Sequence, residues 1–305
     1  MKQKLLLIVG PTAVGKTKFS IECAKKFNGE IISADSIQIY KCLDIGSAKA
    51  TKEEQSQAVH HLIDIIEPDE EFSASEFSEL ARKKINEVCE KGKLPIICGG
   101  TGLFAKSLLY PLSFGNTGKN EEVRKKWERF LEENGKEKLF EELKKVDPES
   151  ADNIDINNTR RVIRAIEIFE ITGQKKSEQN DYNKESEYDF MLIFLNRERN
   201  EIYDLINKRV DIMINKGLEK EVENLVKNYK LTKNNQSMQA IGYKEFFEYF
   251  EGKKTLEEVK EEIKTASRHY AKRQITFFKN MDSVKILNYN DMEKNLLEVE
   301  KWLKS

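Results

Sequence analysis

Two short stretches carry residues whose types and spacing suit work on phosphate groups. The first is "GPTAVGKT", residues 10–17, and the second is "CGGTGLF", residues 98–104. The first fits G-x-x-x-x-G-K-[ST] in full, with an apolar run before it and a helical pattern after it, as that motif demands. Gly10, Pro11, Thr12, Ala13, Val14, Gly15, Lys16 and Thr17 are therefore the candidate diphosphate- or nucleotide-binding set. Loop N–H groups and the following helix N-terminus offer partial positive charge to a phosphate chain. Lys16 adds a full charge, and Thr17 offers a hydroxyl to magnesium. The plain alternative is a glycine-rich turn that only connects two elements.

A P-loop ATPase also places an Asp at the end of a second apolar strand, to hold magnesium through water. Here "LPIIC" ends in "GGT" and "FMLIFL" ends in Asn196, with Asp64 in "HLIDII" a weak substitute. Asp35 in "IISADSIQIY" stands just past the second apolar run, on the same edge as the loop at 10–17. A carboxylate there suits magnesium, a hydroxyl or a general base; capping a turn is the bland reading. Thr101, in the second glycine stretch, also points toward that edge, where its hydroxyl suits an anionic oxygen or simply a turn.

Two cationic islands follow. Between Ile263 and Met281 there is no acid, while Lys264, Arg268, Lys272, Arg273 and Lys279 are positive. Lys264, Arg268 and Lys272 share one helical face, and His269, Tyr270, Phe277 and Phe278 suit stacking on bases or packing in a core. The second island, "NNTRRVIR", carries Arg160, Arg161 and Arg164. A solvated helix face is the ordinary explanation of such charge. In a chain with 52 basic and 53 acidic residues, the segregation points to a nucleic-acid partner.

The elements that position these residues alternate. "KLLLIV" is a strand, followed by a helix with Phe19, Cys23 and Phe27 four apart; "EIIS" and "HLIDII" (61–66) are further strands. A helix with the capping box Ser73 to Glu76 ends near Gly92, and "LPIIC" (94–98) is the next strand. Such alternation predicts a doubly wound parallel α/β sheet with ligands beyond the carboxyl ends of its strands. From residue 116 the chain turns to charged helical segments, "NEEVRKKWERFLEEN", "KEKLFEELKKV" and "NTRRVIRAIEIFEITG", then a polar stretch at 174–189. Residues 116–185 read as a helical insertion, and residues 1–115 with 186–305 as the core. "FMLIFL" (190–195) rejoins the sheet, "VKIL" (284–287) is a last strand, and "MEKNLLEVEKWL" a last helix.

Composition sets the remaining bounds. Apolar residues make up 39% and charged residues 34%, a globular balance. The first apolar run stops at a Gly-Pro turn, too soon for a signal peptide, and no stretch approaches the roughly 18–20 apolar residues of a membrane span. A cytoplasmic protein without membrane contact is expected. Cys23, Cys42, Cys89 and Cys98 form no C-x-x-C pair, and His60, His61 and His269 are the only histidines, so neither a disulfide framework nor a zinc site is supported.

With these residues assembled, the sequence resembles the tRNA dimethylallyltransferase (tRNA isopentenyltransferase) family. "GPTAVGKT", "ISADSIQIYKCLDIGSAKAT", "HHLIDI", "GGTGLF", "RRVIRAIEI", "RVDIMINKGLEKEVENL", "QAIGYKEF" and "YAKRQITFF" look like that family's blocks, in order along nearly the whole chain. The family pattern usually has Thr at Ser47, Pro at Ala50, Tyr at Phe104 and Trp at Phe277. The resemblance implies a P-loop NTPase-like core. It also implies transfer of a dimethylallyl group from its diphosphate to the exocyclic amine of adenosine 37 of tRNA. The absent ATPase Asp then makes sense, since no γ-phosphate is cleaved.

In that reading Lys16 and Thr17, with magnesium, hold the diphosphate, and Arg209 in "KRVDIM" clamps it from the other side. Asp35 takes the proton of the amine, and Thr101 hydrogen-bonds the oxygen linking diphosphate and prenyl group. Asp35, Ser36, Ile37, Gln38 and Thr101 meet the flipped base. Arg124, Thr159, Arg160, Arg161, Val162 and Ile163 from the insertion, with Lys272 and Arg273, meet the rest of the tRNA, and the chain acts as a monomer. Three rivals share parts of this: an isopentenyltransferase acting on free adenine nucleotides, a P-loop small-molecule kinase, and a non-catalytic nucleotide-dependent RNA-binding module. The insertion and basic carboxyl region would be idle on a mononucleotide, and Asp35 with Thr101 argues against the non-catalytic module.

Overall fold

The computed structural model describes residues 2–110, 120–178 and 185–305. Strands β1 (Lys4–Val9), β2 (Gly29–Ser33), β3 (His60–His61), β4 (Leu94–Gly99), β5 (Asp189–Asn196) and β6 (Val284–Asn288) form one sheet in the order β3-β2-β4-β1-β5-β6. Every pairing in it is parallel. Parallel sheets are buried on both faces, which is why the central strands read as unbroken apolar runs.

Along the chain, helices α1 (Lys16–Lys26), α2 (Lys52–Gln55) and α3 (Ala74–Glu90) alternate with the first four strands, and α4 (Gly102–Leu109) follows β4. Leu6, Ile8, Ile31, Ile96 and Ile193 face one layer with Phe19 and Cys23 of α1. The alternate residues Leu5, Leu7, Ile32, Ile97 and Phe194 are equally buried, and α3 packs against β2 and β4. The sheet is thus doubly wound. Each buried Leu or Ile contributes roughly 1.5–3 kcal/mol. The capping box of α3 forms as its sequence dictates, Ser73 accepting from Glu76 N while the Glu76 carboxylate accepts from Ser73 N.

The strand expected over 61–66 shrinks to the pair His60–His61. Leu62 and Asp64 adopt φ of 59° and 56°, which ends the pleat. The backbone there turns to the segment after β2: Ile65 N donates to Ile39 O at 2.8 Å and Lys41 N to Ile66 O at 2.9 Å. Buried Lys49 binds both Asp64 and Asp44 and donates to Tyr40 O. Asp64 is therefore spent on structure.

Two compact units emerge, Met1–Leu109 with Glu187–Ser305, and Tyr110–Ser186. The expected boundary at 115/116 lies outside the described residues, as does part of the polar stretch at 174–189. The second unit contains α5 (Glu121–Val146), α6 (Pro148–Asn153) and α7 (Thr159–Thr172). Gly135, at φ 81° and ψ 169°, breaks α5 where the sequence separates two helical segments. Leu139, Leu143, Val162, Ile163 and Ile166 form this unit's own core. The first unit continues with α8 (Arg199–Asn215), α9 (Leu218–Tyr229), α10 (Phe246–Phe250), α11 (Leu256–Lys279) and α12 (Met292–Lys304).

Candidate active site

The loop between β1 and α1 is built for an anion. Gly15 caps α1 at φ 105°, a conformation that favours glycine. A Cβ there would also lie 2.3 Å from the Tyr289 ring. That ring stacks under the Arg197 guanidinium at 3.9 Å, and Arg197 Nε donates to Val14 O at 3.1 Å. Arg197 and Tyr289 thus brace the loop from behind, a pair the motif itself does not announce. Both follow the ends of strands, β5 and β6, and that placement was the available signal.

Lys16 curls over the loop, donating to Gly10 O at 3.1 Å and Pro11 O at 3.0 Å. Burial pulls its ammonium down to about 8; Arg209 adds to this, against Cys98 and Asp35. Arg209 stands on α8 and donates from Nη1 to Thr12 Oγ1 at 3.3 Å. Burial lowers its pKa too, and among the described residues it has no carboxylate partner within ion-pair distance. A half-buried guanidinium left without a carboxylate is poised for an external anion.

Lys16 and Arg209 share a cavity of about 770 Å³ with Thr12, Thr17, Asp35 and Tyr270. Seven Lys or Arg line it against four Asp or Glu, which fits an anionic ligand. Among the described residues no group of three His, Cys, Asp or Glu side chains is placed to hold a metal. Thr17 nevertheless lines the cavity. Magnesium takes few protein ligands when a diphosphate supplies oxygens, so Thr17 fits that ion.

Asp35 and Thr101 come together, though not as expected. Asp35 Oδ1 accepts from Ile37 N at 3.0 Å and Gln38 N at 3.4 Å, an Asx turn that holds the carboxylate at the cavity wall. Thr101 is not among the residues lining that cavity. Its Oγ1 accepts from Ser36 N at 3.0 Å and donates to Ser36 Oγ at 3.3 Å. In this arrangement it holds the residue beside Asp35, and it also meets Tyr270 of the cavity wall. Gly99 makes this possible, because a Cβ there would lie 2.0 Å from Ala34 O.

Ile37 packs against the cluster around Tyr40 and Leu43. Gln38 bonds Ser33 and the carbonyls of Ser47 and Ala48. Ile37 is thus engaged internally, while Gln38 is held by these bonds on the cavity wall. Tyr270, expected to stack on bases or pack, instead lines the cavity. Burial, with the charge of Asp35, raises its phenol to about 12, so it is a neutral donor at ordinary pH.

The cationic islands split. On α11, Lys264 is paired with Asp211 and Glu261, and Arg268 donates to Asn207 Oδ1 at 2.6 Å; acids and amides of other turns supply what 263–281 lacks. Lys272, Arg273, Phe277 and Lys279 stay exposed. In the insertion, Arg160 and Arg161 are exposed, with Thr159 opening α7. Arg124 and Arg164 both bind the fully buried Glu167, at 3.0 Å each. Val162 and Ile163, expected at the RNA, are core residues.

A family model described as IPP transferase matches residues 38–281. The chain is 50% identical over 294 residues to a tRNA dimethylallyltransferase of Bacillus cytotoxicus, covering 96% of this chain and 92% of that protein. A tRNA dimethylallyltransferase of Bacillus anthracis is also 50% identical, over 295 residues, with coverage of 96% and 93%. Among solved structures, a tRNA isopentenylpyrophosphate transferase of Staphylococcus epidermidis superposes with a TM-score of 0.73 at 44% identity, over 99% of both chains. A eukaryotic dimethylallyltransferase described as acting on tRNA gives a TM-score of 0.82 at 30% identity, over 96% of this chain and 75% of that one.

Proposed function

The chain belongs to the IPP transferase family, whose matching members are tRNA dimethylallyltransferases, and on that premise we propose how its cavity prenylates tRNA. The observation that carries the reading is the pair of half-buried cations Lys16 and Arg209 on one cavity, with Asp35 on its wall. The donor is dimethylallyl diphosphate, and the acceptor is the exocyclic amine of adenosine 37, flipped out of the anticodon loop. As the carbon–oxygen bond breaks, Lys16 and Arg209 stabilise the departing diphosphate. Magnesium, held by Thr17 and the diphosphate oxygens, would supply further charge neutralisation. An aromatic amine is a weak nucleophile, so Asp35 takes its proton as the nitrogen–carbon bond forms. Thr101 serves this step through Ser36.

Exposed Arg160, Arg161, Lys272 and Arg273 are the cations assigned to tRNA phosphates; they would have no role on a free nucleotide. A kinase reading lacks its second motif, since β4 ends in glycine and β5 in Asn196. Among the described residues no helix is long and apolar enough to cross a membrane, and we assign the enzyme to the cytoplasm as a monomer.

One assay tests the reading. The protein is mixed with labelled dimethylallyl diphosphate, magnesium, ATP, AMP and an anticodon stem-loop carrying adenosine at position 37. Label is expected on the stem-loop with ATP unconsumed. Label on AMP alone, or ATP turnover without prenyl transfer, overturns it.

A further inference from the structure

Gln274 sits on α11, 5% exposed, with both ends of its amide hydrogen-bonded. Its Oε1 accepts from Thr12 N at 2.9 Å, and its Nε2 donates to Gly100 O at 2.9 Å. Thr12 belongs to the loop after β1 and Gly100 to the loop after β4, neighbouring strands of the sheet. Among the described residues, Gln274 is the one side chain hydrogen-bonded to both loops. Room for it exists because residue 100 is glycine: a Cβ there would lie 2.3 Å from Nε2.

Thr12 is consequently held from two sides. Its N–H is bound by Gln274, and its hydroxyl accepts from Arg209 Nη1. An amide so placed fixes the loop that in turn aims the guanidinium. We propose that Gln274 is a positioning residue for the diphosphate: it locks the two glycine loops in register and, through Thr12, orients Arg209 toward the departing group. The inference rests on the diphosphate reading of the cavity. Loss of pyrophosphate binding in Lys16→Gln tests that reading on its own, whatever Gln274 does.

The same region of α11 carries exposed Lys272 and Arg273, so RNA affinity serves as the internal control. In Gln274→Met both hydrogen bonds go while the volume stays similar. The dissociation constant for inorganic pyrophosphate and the KM for dimethylallyl diphosphate are expected to rise about tenfold, the effect of roughly one lost hydrogen bond. Stem-loop affinity should stay near the wild-type value, while Tm falls by a few degrees because two buried backbone groups lose their partner.

Gln274→Glu supplies a readout that packing alone would not move. An ionised carboxylate accepts from Thr12 N–H but meets Gly100 O without a proton; a protonated carboxyl restores both the donor and the acceptor. Its pyrophosphate affinity relative to wild type should therefore recover as pH falls from about 7.5 to about 5.5. Wild-type affinity in Gln274→Met overturns the proposal. So does an equal loss of RNA affinity, or a Gln274→Glu ratio that stays flat with pH.

Discussion

The loops after β1 and β4 share one design, strand then glycines then helix, and leave adjacent strands with Val9 beside Gly99. Their uses differ. The first presents Lys16 and Thr17 to the cavity and faces Arg209 across it. The second turns inward: its backbone presses on Ala34, its threonine hydroxyl grips Ser36, and its Gly100 carbonyl is bound by Gln274. In the proposed reaction one loop handles the leaving group and the other holds the base. Glycine is required for two separate reasons, a positive φ at Gly15 and a backbone approach at Gly99, the last residue of β4.

The sharpest way to break that division is at Asp35, which the second loop supports. Asp35→Asn keeps the Asx turn's acceptor and removes the base, so kcat should fall roughly 10²- to 10⁴-fold. Pyrophosphate affinity, measured by calorimetry, should change little. If both fall together, Asp35 belongs to the anion site and the two loops do one job. Next in size is Lys16→Gln. The loss of a cation aimed at the leaving group should lower kcat roughly 10²- to 10³-fold, and here pyrophosphate affinity should fall as well.

Much of this was legible in the sequence, for identifiable reasons. The loop at 10–17 is specified by local spacing, and the central strands by apolar runs that only a sheet covered on both faces can bury. What escaped depends on contacts far apart in the chain. Lys264 has a distant acid, Asp211, on another helix, and Arg124 meets Glu167, 43 residues on. The pairs Lys264 with Glu261 and Arg164 with Glu167 are one helical turn apart and were legible in the spacing. Leu62 and Asp64 read as strand by composition, whereas Lys49 draws Asp64 away. Gln274, in a helix dominated by charge, carried no signal of its two loop contacts. Thr101 was placed at the correct edge, but its orientation depends on Ser36, 65 residues earlier.

The first loop also carries a pH signature that the second lacks. Lys16 is a cation below about 8 and a neutral amine above it. Because the charged form binds the anion, affinity contributed by Lys16 is fully present below that value and declines above it, by up to about tenfold per pH unit. Bound diphosphate raises the pKa again, so binding above pH 8 takes up a proton. Pyrophosphate's own ionisation works in the opposite sense. The informative quantity is therefore the ratio of wild-type affinity to that of Lys16→Arg, which keeps its charge throughout. That ratio should fall above pH 8, and a flat ratio would remove Lys16 from the anion site.

The smallest effect is expected at Thr101, and it separates the two loops most directly. Thr101→Val removes the acceptor for Ser36 N–H, so stability should drop by about 1 kcal/mol. The kcat should drop by about tenfold as the Asp35 segment loosens, well short of the loss in Asp35→Asn. Thr101→Ser keeps the hydroxyl and should restore both. Were Thr101→Val to lose as much turnover as Asp35→Asn at an unchanged Tm, its hydroxyl would be acting on the substrate. The second loop would then be a second grip on the leaving group, and the contrast with the first would disappear.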